Sequence, residues 1–372
     1  MANKILGILN MEPAYVDVEG IEDYRPISAA SILGRYRVAD FMLSNFTNSG
    51  IDNIKVHLKN RPRSLVEHVS RTNYNINSKR GKIHLLHDER PVQHEIYNND
   101  IMSFDANMEF VEIANAKHVV IAPSHFIFVE DFSKLFEHHS RNKNDITILY
   151  QSVRDGDQNY LMCDVPLFDE TKKRIVDVRK NRGKYKSTNI SLETYVMSKE
   201  LFIKLVNEAK TISSLYNFSD VVYDHCEDLK IGAYQHRGFC ACLSTLKAYY
   251  DANMTIREQG ELNKLFSDNW PIYTMTNDSC PTLYKDGASV KGSIVANGCE
   301  IEGTVINSVI GRNVVIKKGA VIKDSVIFPD VFIGNDVKMD CTIVDRLAKV
   351  RNVKELTGSK DKPVYVKRRD SI

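Results

Sequence analysis

Apolar and polar positions over roughly the first 255 residues follow two different periods. Short apolar runs, typical of buried strands, occur at residues 5–9, 54–58 and 118–122. Between these runs, residues 37–48 and 132–139 have apolar side chains at helical spacing. Strands that alternate with helices predict a mainly parallel sheet with helices on both faces, an α/β architecture. Ligands of such sheets bind beyond the carboxyl ends of the strands, so we expect functional residues there.

The pattern changes in the C-terminal part of the chain. Aliphatic residues recur at every sixth position, as at Ile310, Ile316 and Ile322, with small or polar residues between them. A period of six is typical of a hexapeptide solenoid, in which each short strand forms one side of a triangular coil. An antiparallel strand-rich domain is the alternative, but it should show a period of two. Residues 288–348 therefore predict about three coils.

These patterns predict two domains and a connection between them. We assign residues 1–255 to the α/β domain, 256–287 to the connection, and 288–372 to the solenoid with a basic tail. A chain of 372 residues with 43% apolar residues can bury two cores.

The loop after the first strand lacks the groups that usually bind phosphate. Such a strand often leads into a glycine-rich turn whose backbone amides bind phosphate. Here residues 12–23, which we call the acidic loop, contain no lysine or arginine. Their acidic residues are Glu12, Asp17, Glu19, Glu22 and Asp23. We expect this loop to repel an anionic substrate.

Composition excludes several classes of protein. A formal net charge of +2 predicts neither a nucleic-acid partner nor binding to an anionic membrane. The chain shows no signal-peptide pattern and no apolar run near the ~20 residues that span a bilayer, so we expect a cytoplasmic protein. Its seven cysteines are odd in number and scattered, which favours reduced thiols. His236, Cys240 and Cys242 cluster, but a fourth ligand at zinc spacing is missing, so no metal site is predicted.

Two motifs resemble those of bacterial ADP-glucose pyrophosphorylases. The sequence of residues 35–51 is RYRVADFMLSNFTNSGI, which is similar to the family signature G-[KR]-Y-R-x-x-D-F-x-L-S-N-x-x-N-S-G-I. Residues 269–272, NWPI, match the interdomain motif of that family. The resemblance implies a nucleotidyltransferase-like, Rossmann-type α/β domain joined to a C-terminal left-handed β-helix. Members of the family make ADP-glucose, the glucosyl donor for glycogen, from ATP and glucose 1-phosphate.

The positions that this family uses for catalysis hold unsuitable residues here. The resemblance implies a lysine at Ile27, magnesium-binding aspartates at Ser124 and Cys242, and a nucleotide-contacting segment of small residues at 99–103. Phosphoryl chemistry depends on cations, and a hydroxyl and a thiol are poor magnesium ligands. We therefore expect no catalytic residue, metal or cofactor in this chain, with magnesium bound only in a catalytic partner.

This pattern resembles the GlgD-type companion subunits of the family. It predicts a non-catalytic regulatory subunit that assembles with a homologous catalytic subunit and modulates ADP-glucose synthesis. The alternative is an active sugar-phosphate nucleotidyltransferase with substitute carboxylates, for which Asp100, Asp105 and Glu109 are candidates. The spacing of Asp105 and Glu109 predicts that both lie on one face of a helix, although a solvated helical face is the simpler explanation. A hexapeptide-repeat acyltransferase would need a histidine near the coils, and none follows His236.

A regulatory site is also implied by the resemblance. Basic residues at the matching positions lie near an anionic-effector pocket between the two domains of the catalytic proteins. The candidate effector-binding residues here are Arg25, Arg35, Arg37, Lys367, Arg368 and Arg369. Pairing with acidic neighbours, or a solvated tail, is the simpler explanation for some of them.

Overall fold

The computed structural model describes residues 5–58, 61–71, 74–76, 82–87, 99–171, 174–213 and 215–372. The N-terminal domain combines a large sheet, small two-stranded sheets and surrounding helices. Its strands are β1 (Ile5–Asn10), β2 (Ser31–Ile32), β3 (Tyr36–Arg37), β4 (Asn53–His57), β5 (Lys82–Leu86), β6 (His118–Pro123), β7 (Phe126–Phe128), β8 (Ile146–Val153), β9 (Asp164–Phe168), β10 (Ile175–Lys180), β11 (Thr188–Ser198), β12 (Ile231–Gln235) and β13 (Cys240–Cys242). Its helices are α1 (Val38–Asn48), α2 (Arg63–Val69), α3 (Asp100–Ala106), α4 (Met108–Glu112), α5 (Phe132–Asn142), α6 (Lys199–Ile212), α7 (Phe218–Asp224), α8 (Leu246–Ile256) and α9 (Gln259–Leu265), with a 3-10 helix at Ile27–Ala29.

The large sheet has the strand order β12-β8-β11-β6-β1-β4-β5. Its pairings are parallel except those of β11, which runs antiparallel to both β6 and β8. In β1, Leu6 and Ile8 pack into the cluster that contains α3 and α6, while Ile5 and Leu9 pack into the cluster that contains α1. Because both faces are covered, the strand is apolar throughout. The predicted mainly parallel sheet is confirmed.

Side chains of α1 connect the two motifs on which the family resemblance rests. The Asn45 side chain donates to the Phe128 carbonyl oxygen at 3.0 Å, and its own oxygen accepts a hydrogen bond from the Trp270 indole at 3.1 Å. The Tyr273 backbone amide donates to the Ser44 hydroxyl at 2.8 Å. A buried amide must have its hydrogen bonds satisfied, so Asn45 holds the connecting segment against α1.

The C-terminal domain is a three-faced parallel β-helix, as predicted. One face contains β14 (Leu283–Tyr284), β17 (Glu300–Ile301), β20 (Val315–Ile316), β23 (Phe332–Ile333) and β26 (Lys349–Val350). The second contains β15 (Ser289–Lys291), β18 (Thr304–Ile306), β21 (Val321–Lys323), β24 (Lys338–Asp340) and β27 (Glu355–Thr357). The third contains β16 (Ile294–Val295), β19 (Val309–Ile310), β22 (Val326–Ile327), β25 (Thr342–Val344) and β28 (Val364–Val366).

The β-helix is longer than the hexad pattern predicts. The pattern over residues 288–348 predicts about three coils, and that stretch spans β15 to β25, between three and four coils; with five strands on each face, the β-helix continues on both sides of it. The aliphatic hexads mark the middle coils, where Ile301, Ile316 and Ile333 stack in register inside the helix. The first and last coils pair through their backbones with fewer aliphatic side chains, which is why the sequence pattern misses them. Strand pairing begins at Leu283, within the segment that we assigned to the connection.

A buried ion pair joins the two domains. The Arg25 guanidinium contacts both carboxylate oxygens of Asp345 at 2.5 Å, and the two side chains are 5% and 0% exposed. The Tyr365 hydroxyl donates to the same carboxylate at 2.6 Å, and Arg25 lies 5.1 Å from the centre of the Phe328 ring. Because Asp345 belongs to the β-helix and Arg25 to the α/β domain, this contact fixes one domain against the other.

No helix within the described ranges is long and apolar enough to cross a membrane.

We predict that Asp345→Ala lowers the free energy of unfolding by about 3–5 kcal/mol, because it leaves the Arg25 charge buried without a counterion. Chemical unfolding measures this loss. Glu67→Ala is the matched control, since it breaks the exposed Arg63–Glu67 pair and should cause no measurable change. Equal stability of the two variants would contradict the assignment.

Candidate functional site

Four segments converge beyond the carboxyl ends of β1 and β6. They are the acidic loop after β1, the Ser124–His125 turn after β6, the middle of β11, and Cys242 at the end of β13. The acidic loop crosses this region and is held at several points. The Asp17 backbone amide donates to the Ser244 carbonyl oxygen at 3.0 Å, and Val16 and Val18 are buried in the core. The expected ligand position of the sheet is therefore covered by the chain itself.

The carboxylates of the acidic loop are used in different ways. Glu12 is 3% exposed and accepts a hydrogen bond from the Ser28 amide at 3.0 Å, while Glu22 accepts one from the Val18 amide at 2.8 Å. Asp17, Glu19 and Asp23 are exposed. Three carboxylates of the loop therefore face solvent, whereas Glu12 stabilises the loop from inside.

Tyr15 places its side chain inside the cleft beneath the loop. Its hydroxyl donates to Glu193 Oε1 at 2.5 Å and lies 3.0 Å from His125 Nε2 and 3.6 Å from Cys163 Sγ. Burial raises the pKa of the Tyr15 phenol well above its ordinary value, and electrostatic repulsion by ionised Cys163 or Glu193 would raise it further. The phenol therefore stays protonated and serves as a hydrogen-bond donor.

Glu193 reaches the cleft from an irregular position in β11. The pairing of β11 with β8 shifts register between Ser191 and Thr194, and Glu193 adopts a φ of 45°, which is unusual for a residue with a side chain. Its side chain is 15% exposed, and Oε2 lies 3.8 Å from His125 Nε2. Burial raises the pKa of this carboxyl to about 8, although the hydrogen bond from Tyr15 opposes the rise.

The residues at the three degenerate family positions do not suit magnesium. Ile27 is buried in the core, and the Ser124 hydroxyl is buried with no hydrogen-bond partner in the described part of the chain. Cys242 Sγ lies 3.7 Å from Cys163 Sγ. Magnesium prefers hard carboxylate oxygens, so a hydroxyl and a soft thiol do not fit that ion. Among the described residues, no group of three or more acidic, histidine or cysteine side chains is arranged to hold a metal ion.

His236 and the two cysteines with which it clusters in sequence take part in different contacts. Its Nδ1 lies 2.6 Å from Glu130 Oε2. Cys240 and Cys242 lie on β13, where the Cys242 thiol contacts Cys163 instead. The three residues therefore belong to different contacts.

Two of the three proposed substitute carboxylates, Asp100 and Asp105, have structural partners. Asp100 accepts hydrogen bonds from the Phe218 amide and the Asn10 side chain, both at 2.9 Å, and Asp105 pairs with Lys210 at 2.8 Å. Glu109 is exposed. The prediction that Asp105 and Glu109 share one helix face is wrong, because α3 ends at Ala106 and α4 begins at Met108. Asn107 separates the helices, and its side chain donates back to the Ser103 carbonyl oxygen at 3.0 Å.

Three of the candidate effector-binding arginines lie close together at the domain junction. Arg25 is paired with Asp345, as described above. Burial and the charges of Arg25 and Arg346 lower the pKa of Arg37 to about 10. Burial and the charge of Arg25 also lower the pKa of Arg368. The junction is thus a cluster of cations in which the buried Asp345 carboxylate neutralises Arg25.

The other candidate basic residues are more exposed. Arg35 is exposed and stacks on the Tyr36 ring at 5.7 Å, and its charge acts on Arg312 rather than on the junction. Lys367 and Arg369 are exposed, although the charge of Arg369 contributes to the lowered pKa of Arg368.

Four residues of these sites were missed by sequence reasoning. They are Tyr15, Glu193, Asp345 and Arg346. An aromatic residue within a charged loop was the available signal for Tyr15. No local pattern distinguishes Glu193 or Asp345, because their roles arise from a backbone irregularity and from contact between the two domains.

Comparison with known proteins agrees with this architecture. The family model described as "GlmU-like, C-terminal hexapeptide" matches residues 282–362, which span most of the β-helix. The class of protein is therefore an α/β domain joined to a hexapeptide-repeat β-helix.

Relatives cover both domains. The chain is 29% identical to the Glycogen biosynthesis protein GlgD of Geobacillus stearothermophilus, over 86% of this chain and 83% of that protein. It is 25% identical to the GlgD of Bacillus subtilis, over 98% and 96%. It is 29% identical to a glucose-1-phosphate adenylyltransferase of Clostridioides difficile, over 82% and 79%. Over most of its length the chain is thus similar both to GlgD proteins and to glucose-1-phosphate adenylyltransferases.

We predict that Glu193→Gln removes a pH-dependent loss of stability. A carboxyl with a pKa of about 8 in the folded chain and 4.5 otherwise binds its proton more tightly when folded. The stabilising contribution of the Glu193 carboxyl is complete below its unfolded-state pKa of 4.5 and is lost as the pH rises through its folded-state pKa of about 8. Since one pH unit between the two pKa values corresponds to about 1.4 kcal/mol, the loss amounts to several kcal/mol.

Chemical unfolding of wild type and Glu193→Gln between about pH 5 and about pH 9 measures this difference. The exposed Glu19→Gln is the matched control and should keep the wild-type profile. A Glu193→Gln profile that parallels wild type over the whole range would show that Glu193 ionises normally.

Proposed function

We propose that this chain is a non-catalytic regulatory subunit. In this proposal it assembles with a homologous catalytic glucose-1-phosphate adenylyltransferase subunit and modulates the synthesis of ADP-glucose for glycogen. The names of the relatives support this proposal, because they include both glycogen biosynthesis proteins and the adenylyltransferases themselves.

The observation that carries the proposal is the state of the cleft. Ile27, Ser124 and Cys242 provide neither a cation nor a hard ligand where the family resemblance implies them, and the Tyr15 side chain lies in the same space. Loss of one preorganised electrostatic group typically lowers a rate by about 10²–10³-fold. Several such losses together remove the means of stabilising a polyphosphate transition state, so the useful activity of the chain is exerted on a partner.

The alternative, an active transferase with substitute carboxylates, has less support. Asp100 and Asp105 are engaged in hydrogen bonds and an ion pair that stabilise the helices around them, and these groups are not free to bind a metal. Glu193 is the carboxyl that does enter the cleft, but its pKa of about 8 keeps it largely protonated near neutral pH, when it is a poor metal ligand.

We further propose that the chain binds an anionic effector at the junction, around Arg37, Arg368 and Arg346. Burial and the charges of Arg25 and Arg346 lower the pKa of both Arg37 and Arg368, so an added anion would relieve this repulsion, although Arg346 also pairs with Asp330. Arg25 is not assigned a direct contact with the effector, since its charge is already balanced by Asp345.

For the regulatory role, we predict that the purified chain alone makes no ADP-glucose from ATP, glucose 1-phosphate and magnesium. Co-expressed with a catalytic homologue, it should co-purify and either raise the turnover or change the substrate affinity of that homologue. The catalytic subunit purified alone is the control. Failure to co-purify, or unchanged kinetics despite a stable mixed complex, would overturn the proposal.

For the effector site, we predict that inorganic phosphate raises the thermal unfolding midpoint of the isolated chain, because a ligand that binds only the folded state stabilises it. Arg368→Ala should reduce this shift, whereas the exposed Arg35→Ala should preserve it. Sodium chloride at equal ionic strength controls for screening. An equal shift with chloride would remove the effector proposal without affecting the assembly proposal.

A further inference from the structure

We propose that Tyr15 and Glu193 form a latch that holds the acidic loop closed over the cleft and shields the thiol of Cys163 beneath it. This inference concerns the chain by itself and does not depend on any partner. It assigns to Tyr15 the role of an internal occupant of the cleft, held there by a contact between the loop and the central sheet.

The contacts of Tyr15 come from three separate elements. Its hydroxyl reaches Glu193 on β11 at 2.5 Å, His125 after β6 at 3.0 Å, and Cys163 before β9 at 3.6 Å. The Tyr15 ring also meets the His125 ring edge to face, with 5.7 Å between centroids. A single side chain from the loop therefore bridges the segments that line the cleft, which is the arrangement expected of a closure contact.

The backbone conformation of Glu193 is locally unfavourable, which indicates that the Tyr15–Glu193 contact helps to maintain it. A φ of 45° is disfavoured for glutamate, and the irregular pairing around it turns the carboxyl toward Tyr15. A regular strand would point residue 193 elsewhere. Such strain persists only where surrounding contacts determine the conformation, and the short Tyr15–Glu193 hydrogen bond is the contact that the strained residue makes.

The loop is anchored on both sides of the short turn that contains Tyr15: before the turn, the buried Glu12 carboxylate accepts a hydrogen bond from the Ser28 amide. Val16 and Val18 are buried, and the Asp17 amide is bonded to Ser244, whereas Ala14 is exposed. Opening therefore needs only the short turn around Tyr15 to move, while the rest of the loop stays in place. Local openings of this size occur without global unfolding.

Cysteines provide built-in reporters for this movement. Cys163 is fully buried directly beneath Tyr15 and contacts the Cys242 thiol at 3.7 Å. Cys242 also borders a cavity of about 400 Å³ next to α8, so Cys163 is the cleaner reporter. Cys280 is exposed and marks the rate for an accessible thiol, while Cys299 is buried inside the β-helix and marks global opening.

The experiment measures alkylation of each cysteine by iodoacetamide in the folded, full-length chain, followed by mass spectrometry. In wild type, Cys163 should react far more slowly than Cys280. In Tyr15→Ala and in Glu193→Gly, its rate should rise by about tenfold or more while Cys299 stays slow. Tyr24→Ala is the matched control, because it removes an exposed tyrosine side chain just after the acidic loop. It should leave Cys163 protected.

Tyr15→Phe separates the hydrogen bond from the bulk of the ring. It keeps the packing but loses the hydroxyl, so Cys163 should react several-fold faster than in wild type and more slowly than in Tyr15→Ala. If Cys299 also becomes reactive in Tyr15→Ala, that variant has lost its fold and Tyr15→Phe alone decides. The latch is overturned if Cys163 reacts as fast as Cys280 in wild type, or if Tyr15→Phe and Glu193→Gly both protect Cys163 as wild type does.

Discussion

The buried Arg25–Asp345 ion pair is the interaction on which the arrangement of the two domains depends. It lies in a region with almost no solvent, where an unpaired charge is strongly unfavourable. Tyr365 and Phe328 complete the surroundings of the pair, and both belong to the β-helix. Separation of the α/β domain from the β-helix would therefore leave one of these charges without its partner. As a result, the cation cluster around Arg37 and Arg368 is held at a defined position.

The unfavourable burial of an unpaired charge also governs the cleft. Glu193 is a carboxyl in a poorly solvated place, and it keeps its proton and its hydrogen bond with Tyr15 because ionisation there is costly. Glu12 is satisfied by a backbone amide of the 3-10 helix. Both of these buried carboxyls are thus stabilised by partners from the same chain, where a catalytic site would hold groups ready for a ligand. This is the physical contrast that supports a regulatory role.

Much of the fold was predictable because it rests on periodic burial. The strands near residues 5–9, 54–58 and 118–122, and the helices that begin near 38 and 132, appear where apolar periodicity places them. The β-helix was predicted from its hexads, but its terminal coils were missed because backbone pairing continues where the aliphatic pattern fades. The break between α3 and α4 was also missed, since one asparagine interrupts a pattern that suits a single helix.

The sequence by itself determined the class of fold, the two motifs that meet at Asn45 and Trp270, and the replacement of the expected cation and metal positions by Ile27, Ser124 and Cys242. Those features depend on residue type and local spacing. Only the tertiary structure decided that Tyr15 lies within the cleft, that Glu193 meets it, and that Arg25 is neutralised by Asp345. These contacts join residues about 180 and 320 positions apart. Their strength comes from burial, a property that a side chain acquires only when distant segments exclude water around it.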